Sequence, residues 1–254
     1  METVDLNSDL GEGFGVWNCG DDAAMLKIVT TANVACGFHA GDPEVMARTF
    51  RAALAEGVAV GAHPGWPDLQ GFGRRPMRMS EGEIERLVAY QIGAAAGMAA
   101  WAGHRLTHVK AHGALANAAA AEAGIAGAVA RAVRAVDRDL ALLAIALSEQ
   151  VRAGEAAGLR IVAEIFADRG YDEAGRLVAR GLPGAMIEDP EEAAARALVM
   201  VTEGAIVTVS GRRLTTPVGS ICVHGDGPHA VAAAGLLRRR LIEAGIEPRP
   251  FAGT

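Results

Sequence analysis

Short β-type runs alternate with longer helical patterns along this 254-residue chain. Four of the runs lead into a histidine flanked by glycine or proline: "CGFHAGD" at His39, "VGAHPG" at His63, "KAHGAL" at His112 and "CVHGDGPH" at His224. Strands are expected at residues 4–9, 33–36, 58–62, 107–110, 140–144, 160–165 and 220–223. Between them, "GDPEVMARTFRAALAEG" carries Asp42 as a helix cap and Pro43 at the first helical position, a pre-organised start. "MSEGEIERL" opens at Ser80 with Glu83 three residues on, the capping-box pattern. "DPEEAAARALVMVTEG" repeats the Asp-Pro start at Asp189, and "GPHAVAAAGLLRRRLIEAG" is a last helix.

Such alternation implies parallel strands joined by crossover helices. Seven or eight strand–helix units fit a (β/α) barrel at this length. The expected fold class is therefore α/β, a TIM-barrel-like (β/α) barrel of about seven strands, with an open doubly wound sheet as the rival. No Pro- or Gly-rich linker divides the chain, so residues 1–254 read as a single barrel domain. The segment 204–217, "GAIVTVSGRRLTTP", reads as a small β-hairpin added to the helical shell.

The chain is 51% apolar but only 4% aromatic, so its core depends on close helix packing by alanine rather than on large rings. A net charge of -6 without a basic run argues against nucleic acid as a partner. No apolar run reaches the ~20 residues that span a bilayer, so no membrane partner is expected. The acidic start "METVDLNSDL" enters a strand at once, unlike a signal peptide. Cys19, Cys36 and Cys222 are an odd number without paired spacing, which suits a cytoplasmic, reducing setting.

In barrels of this kind, functional side chains stand at the C-terminal ends of the strands and in the following loops. Reading each strand end in turn gives Asn7, Asp9 and Glu12; His39 and Asp42; His63; Lys110 and His112; Glu164 and Asp168; His224 and Asp226. Only the strand at 140–144 delivers no ionisable group. Among 24 basic residues only Lys27 and Lys110 are lysines, which marks Lys110 as a place needing a compact ammonium. "GEGFG" at 11–15 lacks the third glycine of a dinucleotide fingerprint, no P-loop occurs, and no G-x-S-x-G elbow is present. His104, His108 and His112 are four apart, but "LTHVK" is β-type, so they do not form a helical zinc site. Cys222 reads as a buried thiol.

Carboxylates, imidazoles and an ammonium in one pocket suit acid–base hydrolysis of a C–N bond. Asp with two or three His would alternatively hold Zn²⁺ or another divalent ion. Spacing does not separate the two, because the groups lie on different strands. If a metal of unknown identity is bound, Asp9, His39, His63, His112 and His224 are its expected ligands.

Seven stretches, "DLNSDLGEGFG", "ANVACGFHAGDP", "GAHPGWPDLQGFGRR", "HVKAHGAL", "EIFADRGYDEAGRL", "PGAMIED" and "ICVHGDGPHA", resemble in order the motifs of the LamB/YcsF family, the A-subunits of 5-oxoprolinase. The resemblance implies a barrel of the glycoside hydrolase/deacetylase type. It implies ATP-coupled opening of the lactam of 5-oxo-L-proline (pyroglutamate) to L-glutamate, with ATP as co-substrate of a complex completed by subunits B and C. On that reading Asp9 or His39 is the general base, Lys110 an electrostatic stabiliser, and His112 joins the catalytic set. Asn7, Glu12, Asp42, His63, Asn117, Glu164, Asp168, Arg169, His224 and Asp226 are expected to bind substrate, the Arg169 guanidinium through the substrate's carboxylate. Three positions depart from the family pattern: Ser8 stands where Cys is expected, Ala111 where Pro is, and Ala116 where Tyr is. Ser8 alternates with Asn7 and Asp9, so it should face the barrel wall. A stand-alone metal-dependent deacetylase or amidohydrolase and a non-catalytic substrate-binding subunit remain as alternatives.

Overall fold

The computed structural model describes residues 2–225 and 229–252. The chain runs β1 (Glu2–Leu10), α1 (Asp22–Met25), β2 (Thr31–Ala35), α2 (Pro43–Ala55), β3 (Ala59–His63), α3 (Glu81–Trp101), β4 (Leu106–Val109), α4 (Gly113–Ala121), α5 (Ala123–Val136), β5 (Ala141–Ile145), α6 (Glu149–Ala156) and β6 (Ile161–Phe166). It continues through α7 (Pro190–Glu203), β7 (Ala205–Val207), β8 (Arg213–Thr215), β9 (Ser220–Cys222), α8 (Ala230–Glu243) and β10 (Ile246–Pro248). β1 pairs in parallel with β2 on one edge and β9 on the other, and β9 also pairs with β6. The order β1-β2-β3-β4-β5-β6-β9 therefore closes into a seven-stranded parallel barrel, which excludes the open sheet. The expected hairpin forms outside it, with Ala205 opposite Thr215.

β10 was not legible in the sequence. It is three residues ending in proline, too short to show a period, and it forms only because Glu2 at the start of β1 offers an open edge to Ile246.

The helices start where their caps predict. The Asp42 carboxylate accepts from Glu44 N at 2.8 Å and Val45 N at 3.0 Å, and Ser80 and Glu83 complete a capping box. α7 ends on Gly204 in the left-handed region, φ +59°. Outward-facing Leu6, Leu10, Val34, Val60 and Val109 meet Phe50, Ile84, Val88 and Ile92 from the helices, all buried. Ala95, Ala99, Ala126, Ala130 and Val133 belong to the same buried cluster, where α3 lies against α5. No single described helix is long and apolar enough to cross a membrane.

Inside the barrel the pattern reverses. Asp5, Asn7, Thr31, Asn33, His108, Glu164 and Ser220 are buried polar residues on the strands of β1, β2, β4, β6 and β9. Their alternation on each strand turns one side chain in two toward the axis. β5 and β6 contribute apolar Ile145 and Phe166 instead, packed against Cys222.

Candidate active site

Asp5 anchors the bottom of this polar column. Its carboxylate accepts from the hydroxyls of Thr30, Thr31 and Ser220. Above it, Asn7 Nδ2 donates to Ser220 Oγ at 2.7 Å and to Glu164 Oε1 at 2.9 Å. Asn33 Nδ2 donates to Asn7 Oδ1 at 2.8 Å and Asp9 Oδ1 at 2.9 Å, while its own carbonyl oxygen faces His108 Nε2 at 2.8 Å.

Lys110 stands on this column just beyond β4. Its ammonium reaches Glu164 Oε1 at 2.7 Å, Asn7 Oδ1 at 3.0 Å, Asp9 Oδ1 at 3.1 Å and Cys222 Sγ at 3.1 Å. Burial would strip its proton, but Asp9, Cys222 and Glu164 outweigh burial and hold the ammonium well above the usual lysine range. Burial likewise raises the Asp9 carboxyl, and His63 and Lys110 outweigh it, keeping Asp9 well below the usual carboxylate range. Asp9 is thus a fixed carboxylate whose second oxygen lies 3.2 Å from His63 Nε2.

The next layer is imidazole. His63 Nδ1 lies 2.8 Å from Lys110 O, and His112 Nε2 lies 2.8 Å from Phe72 O. A carbonyl only accepts, so each of those nitrogens carries the hydrogen. His63 Nε2 and His112 Nδ1 then face one another at 3.0 Å. His112 occupies the N-cap of α4 but makes no capping bond, its ring being committed to this layer. Phe72 holds φ +55°, a costly conformation outside glycine, to aim its carbonyl there. The His39 ring stacks on His112, centroids 3.7 Å apart and 4° from parallel. Burial and the neighbouring His112 push His39 down to about 3. Glu12, which follows the left-handed turn at Gly11, φ +67°, puts Oε1 3.4 Å from His39 Nε2 and 3.3 Å from His112 Nδ1. Burial raises its carboxyl, but His112 and His39 bring it down to about 2. One ligand atom each from Glu12, His39, His63 and His112 lies within 4.8 Å of the others, and these are the residues able to hold a metal.

A cavity of about 690 Å³ opens over both layers. Asp9, Glu12, Lys110, His112, Asn117, Glu164 and His224 line it, with Ile145 and Phe166 forming its apolar side. His39 and His63 lie beneath, buried. On the far side, His224 Nε2 accepts from Arg180 at 3.3 Å, and its Nδ1 donates to Asp168 at 2.7 Å.

The expected site residues therefore separate. Asn7, Asp9, Glu12, His39, His63, Lys110, His112 and Glu164 come together. His224 and Asp168 form a second group, so His224 stands outside the metal-capable cluster, where Glu12 takes the fourth place. Asp9 faces that cluster through His63, with one oxygen bound to Lys110. The Asp42 carboxylate is spent on Gly15 N and on the α2 cap. Arg169 is buried and donates to the carbonyls of Ala185 and Val178, which ties down the loop after β6. Asp226 lies outside the described residues. Asn33, His108 and the Phe72 carbonyl were missed as partners of the site; the one signal available was a lone asparagine inside the apolar run "TANVA".

Comparison with known proteins fits this arrangement. A protein from Azorhizobium caulinodans, named as the A-subunit of 5-oxoprolinase, is 59% identical over 252 residues, 99% of this chain and 100% of that protein. One of the same name from Gluconobacter oxydans is 55% identical over 248 residues, 98% of each chain. The crystal structure of a lactam utilization protein from Thermus thermophilus superposes with a TM-score of 0.93 at 44% identity, covering 98% of this chain and 100% of that one. The LamB/YcsF family profile matches residues 4–254. This chain belongs to the LamB/YcsF family.

The departures from the family pattern have structural counterparts. In this LamB/YcsF chain Ser8 Oγ donates to Val223 O at 2.8 Å and is fully buried, so it faces the barrel wall. Ala111 and Ala116 both line the cavity. Alanine at 116 leaves open the volume a tyrosine would fill.

Proposed function

We propose that this chain is the A-subunit of an ATP-dependent 5-oxoprolinase, hydrolysing the lactam of 5-oxo-L-proline to L-glutamate together with subunits B and C. The observation that carries the reading is Asp9, a carboxylate kept ionised by Lys110 and His63 at the floor of a cavity sized for a small ligand. The full-length likeness to proteins named as A-subunits of 5-oxoprolinase supports the substrate. Water adds to the lactam carbonyl carbon, the ring C–N bond breaks, and the leaving nitrogen takes up a proton. Asp9 is the base that removes the proton from water. Lys110 is a positioning residue: its donors are engaged by Asp9, Asn7 and Glu164, so it fixes the base rather than reaching for substrate. Asp168, His224 and Arg180 meet the amino-acid end of the substrate across the cavity.

The cluster of Glu12, His39, His63 and His112 fits a divalent ion, since Glu12 Oε1 and His39 Nε2 are buried without a hydrogen-bond partner among the described residues. A bound ion would supply Lewis acidity toward the lactam oxygen or a water. ATP enters as co-substrate of the complex, and three cysteines without paired spacing suit a cytoplasmic setting. The same cluster favours a second reading, an amidohydrolase needing neither ATP nor partners.

Glutamate release from 5-oxo-L-proline by the chain co-purified with subunits B and C, with and without ATP, decides between them. ATP-dependent release that is lost when this chain is omitted, or when Asp9→Asn replaces it, supports the proposal. ATP-independent hydrolysis by the isolated chain supports the second reading.

A further inference from the structure

The geometry points to one divalent transition-metal ion of the zinc class bound by Glu12, His39, His63 and His112 at the cavity floor. This deepens the hydrolase reading, but the site stands on its own observations.

The first is the opposed pair of nitrogens. His63 spends its Nδ1 hydrogen on Lys110 O and His112 spends its Nε2 hydrogen on Phe72 O, so while both rings are neutral the facing atoms 3.0 Å apart are both lone-pair positions, and a proton gained there sits on His63 Nε2 beside Asp9. Something positive must lie between them, a proton or an ion. The second observation separates these. A proton joins one pair of atoms. It leaves Glu12 Oε1 and His39 Nε2 buried and unpartnered, as they stand among the described residues, at a cost of about 1–3 kcal/mol for each such group. One ion would satisfy all four donors together.

Separations agree with this. Donors about 2.0–2.1 Å from a tetrahedral ion stand about 3.3–3.4 Å from one another. The contacts here are 3.0 Å for His63–His112, 3.3 Å for Glu12–His112 and 3.4 Å for Glu12–His39. Both His63 and His112 already donate their other ring hydrogen to a backbone carbonyl, the outer arrangement that orients metal-bound histidine. Packing leaves little slack: a Cβ on Gly73 would come 2.8 Å from His112 Cδ2 and from His39 Cβ. Three imidazoles and one carboxylate select Zn²⁺, Co²⁺ or Ni²⁺ over Ca²⁺ and Mg²⁺. Glu12 and His112 line the cavity, so a ligand there would meet the ion as a fifth donor, with Asp9 beside it.

The full chain, freed of metal by chelator and titrated with Co²⁺, gives a direct reading through visible d–d absorption. Zn²⁺ content after gel filtration gives the stoichiometry. One ion per chain is expected. Glu12→Gln, which keeps the side chain's shape but removes a charged ligand, should weaken Co²⁺ binding by at least the ~100-fold that loss of an outer-shell partner costs, while His229→Ala, an exposed histidine elsewhere, should leave the spectrum unchanged. X-ray absorption on the Zn²⁺-loaded natural chain reads the ligands without any variant and should show three imidazoles. A folded chain that takes up no stoichiometric Co²⁺ or Zn²⁺ overturns the site, as does a spectrum indifferent to Glu12→Gln. Turnover by a complete complex whose A chain takes up no Co²⁺ or Zn²⁺ would remove the site and keep the oxoprolinase reading. A loaded site in an inactive complete complex would do the reverse.

Discussion

The two halves of the barrel mouth differ in kind. From β1 to β4 the chain delivers Asp9, Glu12, His39, His63, Lys110 and His112 into a packed layer in which all but Asp9 are buried, His63, Lys110 and His112 held by hydrogen bonds and His39 by stacking on His112. From β5 to β9 the mouth is an apolar wall of Ile145 and Phe166, then a long loop bearing Asp168 and exposed Arg180, with His224 half-buried between them. The first half fixes charges in place before any ligand arrives, as chemistry requires. The second leaves volume and polar groups free to meet a ligand. In the first half, glycines at 11, 41 and 73 hold left-handed conformations, and Gly73 brings loop backbone closely against His39 and His112.

Asp9→Asn tests this division most severely. Loss of a positioned general base should lower kcat for glutamate release by roughly 10²- to 10⁴-fold, with substrate occupancy little changed in a direct binding measurement. Equal loss of occupancy and turnover would mean that the first half binds rather than reacts.

Lys110→Met should act on stability as much as on rate. It would leave the Asp9 and Glu164 carboxylates facing each other without their shared cation. Breaking a buried pair in this way costs about 3–5 kcal/mol, readable in urea unfolding. A variant as stable as the natural chain would deny that the network is tightly coupled.

Asp5, at the base of the same column, sharpens the comparison through pH. Burial raises its carboxyl from 3.8 to about 6, so between those values the folded chain holds a proton that the unfolded chain has released. Its contribution is therefore greatest below pH 4 and falls as pH rises through about 6, by roughly 3 kcal/mol at most. Relative to Asp5→Asn, the natural chain should lose unfolding free energy across that window; parallel pH curves would refute the raised value.

The smallest effect is expected in the second half. Arg180→Ala removes an exposed donor from His224 and should raise KM several-fold, about 1 kcal/mol for a hydrogen bond at a partly open site, with kcat nearly unchanged. A fall in kcat instead would move that group into the chemistry.

Much of the fold was legible because its signals are local. Asp42-Pro43, the Ser80 and Glu83 box and Asp189-Pro190 name helix starts within four residues, and each cap forms. The seven barrel strands showed themselves by composition, four of them also by a histidine beside glycine or proline just past their ends. β10 did not, because its only partner lies more than 240 residues away, at Glu2. Asn33 and His108, the latter read only as a strand residue, were not assigned to the site because a polar residue in a β run looks like a flaw until the barrel closes and puts both against one another beside Asp9.

By itself, then, the sequence determined the class of fold and the short set of side chains presented to one mouth, since strand alternation and turn chemistry act between neighbours in the chain. The partition of that set was decided only by tertiary structure. Glu12 rather than His224 stands with the three histidines, Lys110 holds Asp9 and Glu164, and Asp42 and Arg169 are spent on the backbone. Those choices depend on angles around the barrel and on depth along its axis, set by strand register and closure, which no spacing within a single strand and loop encodes.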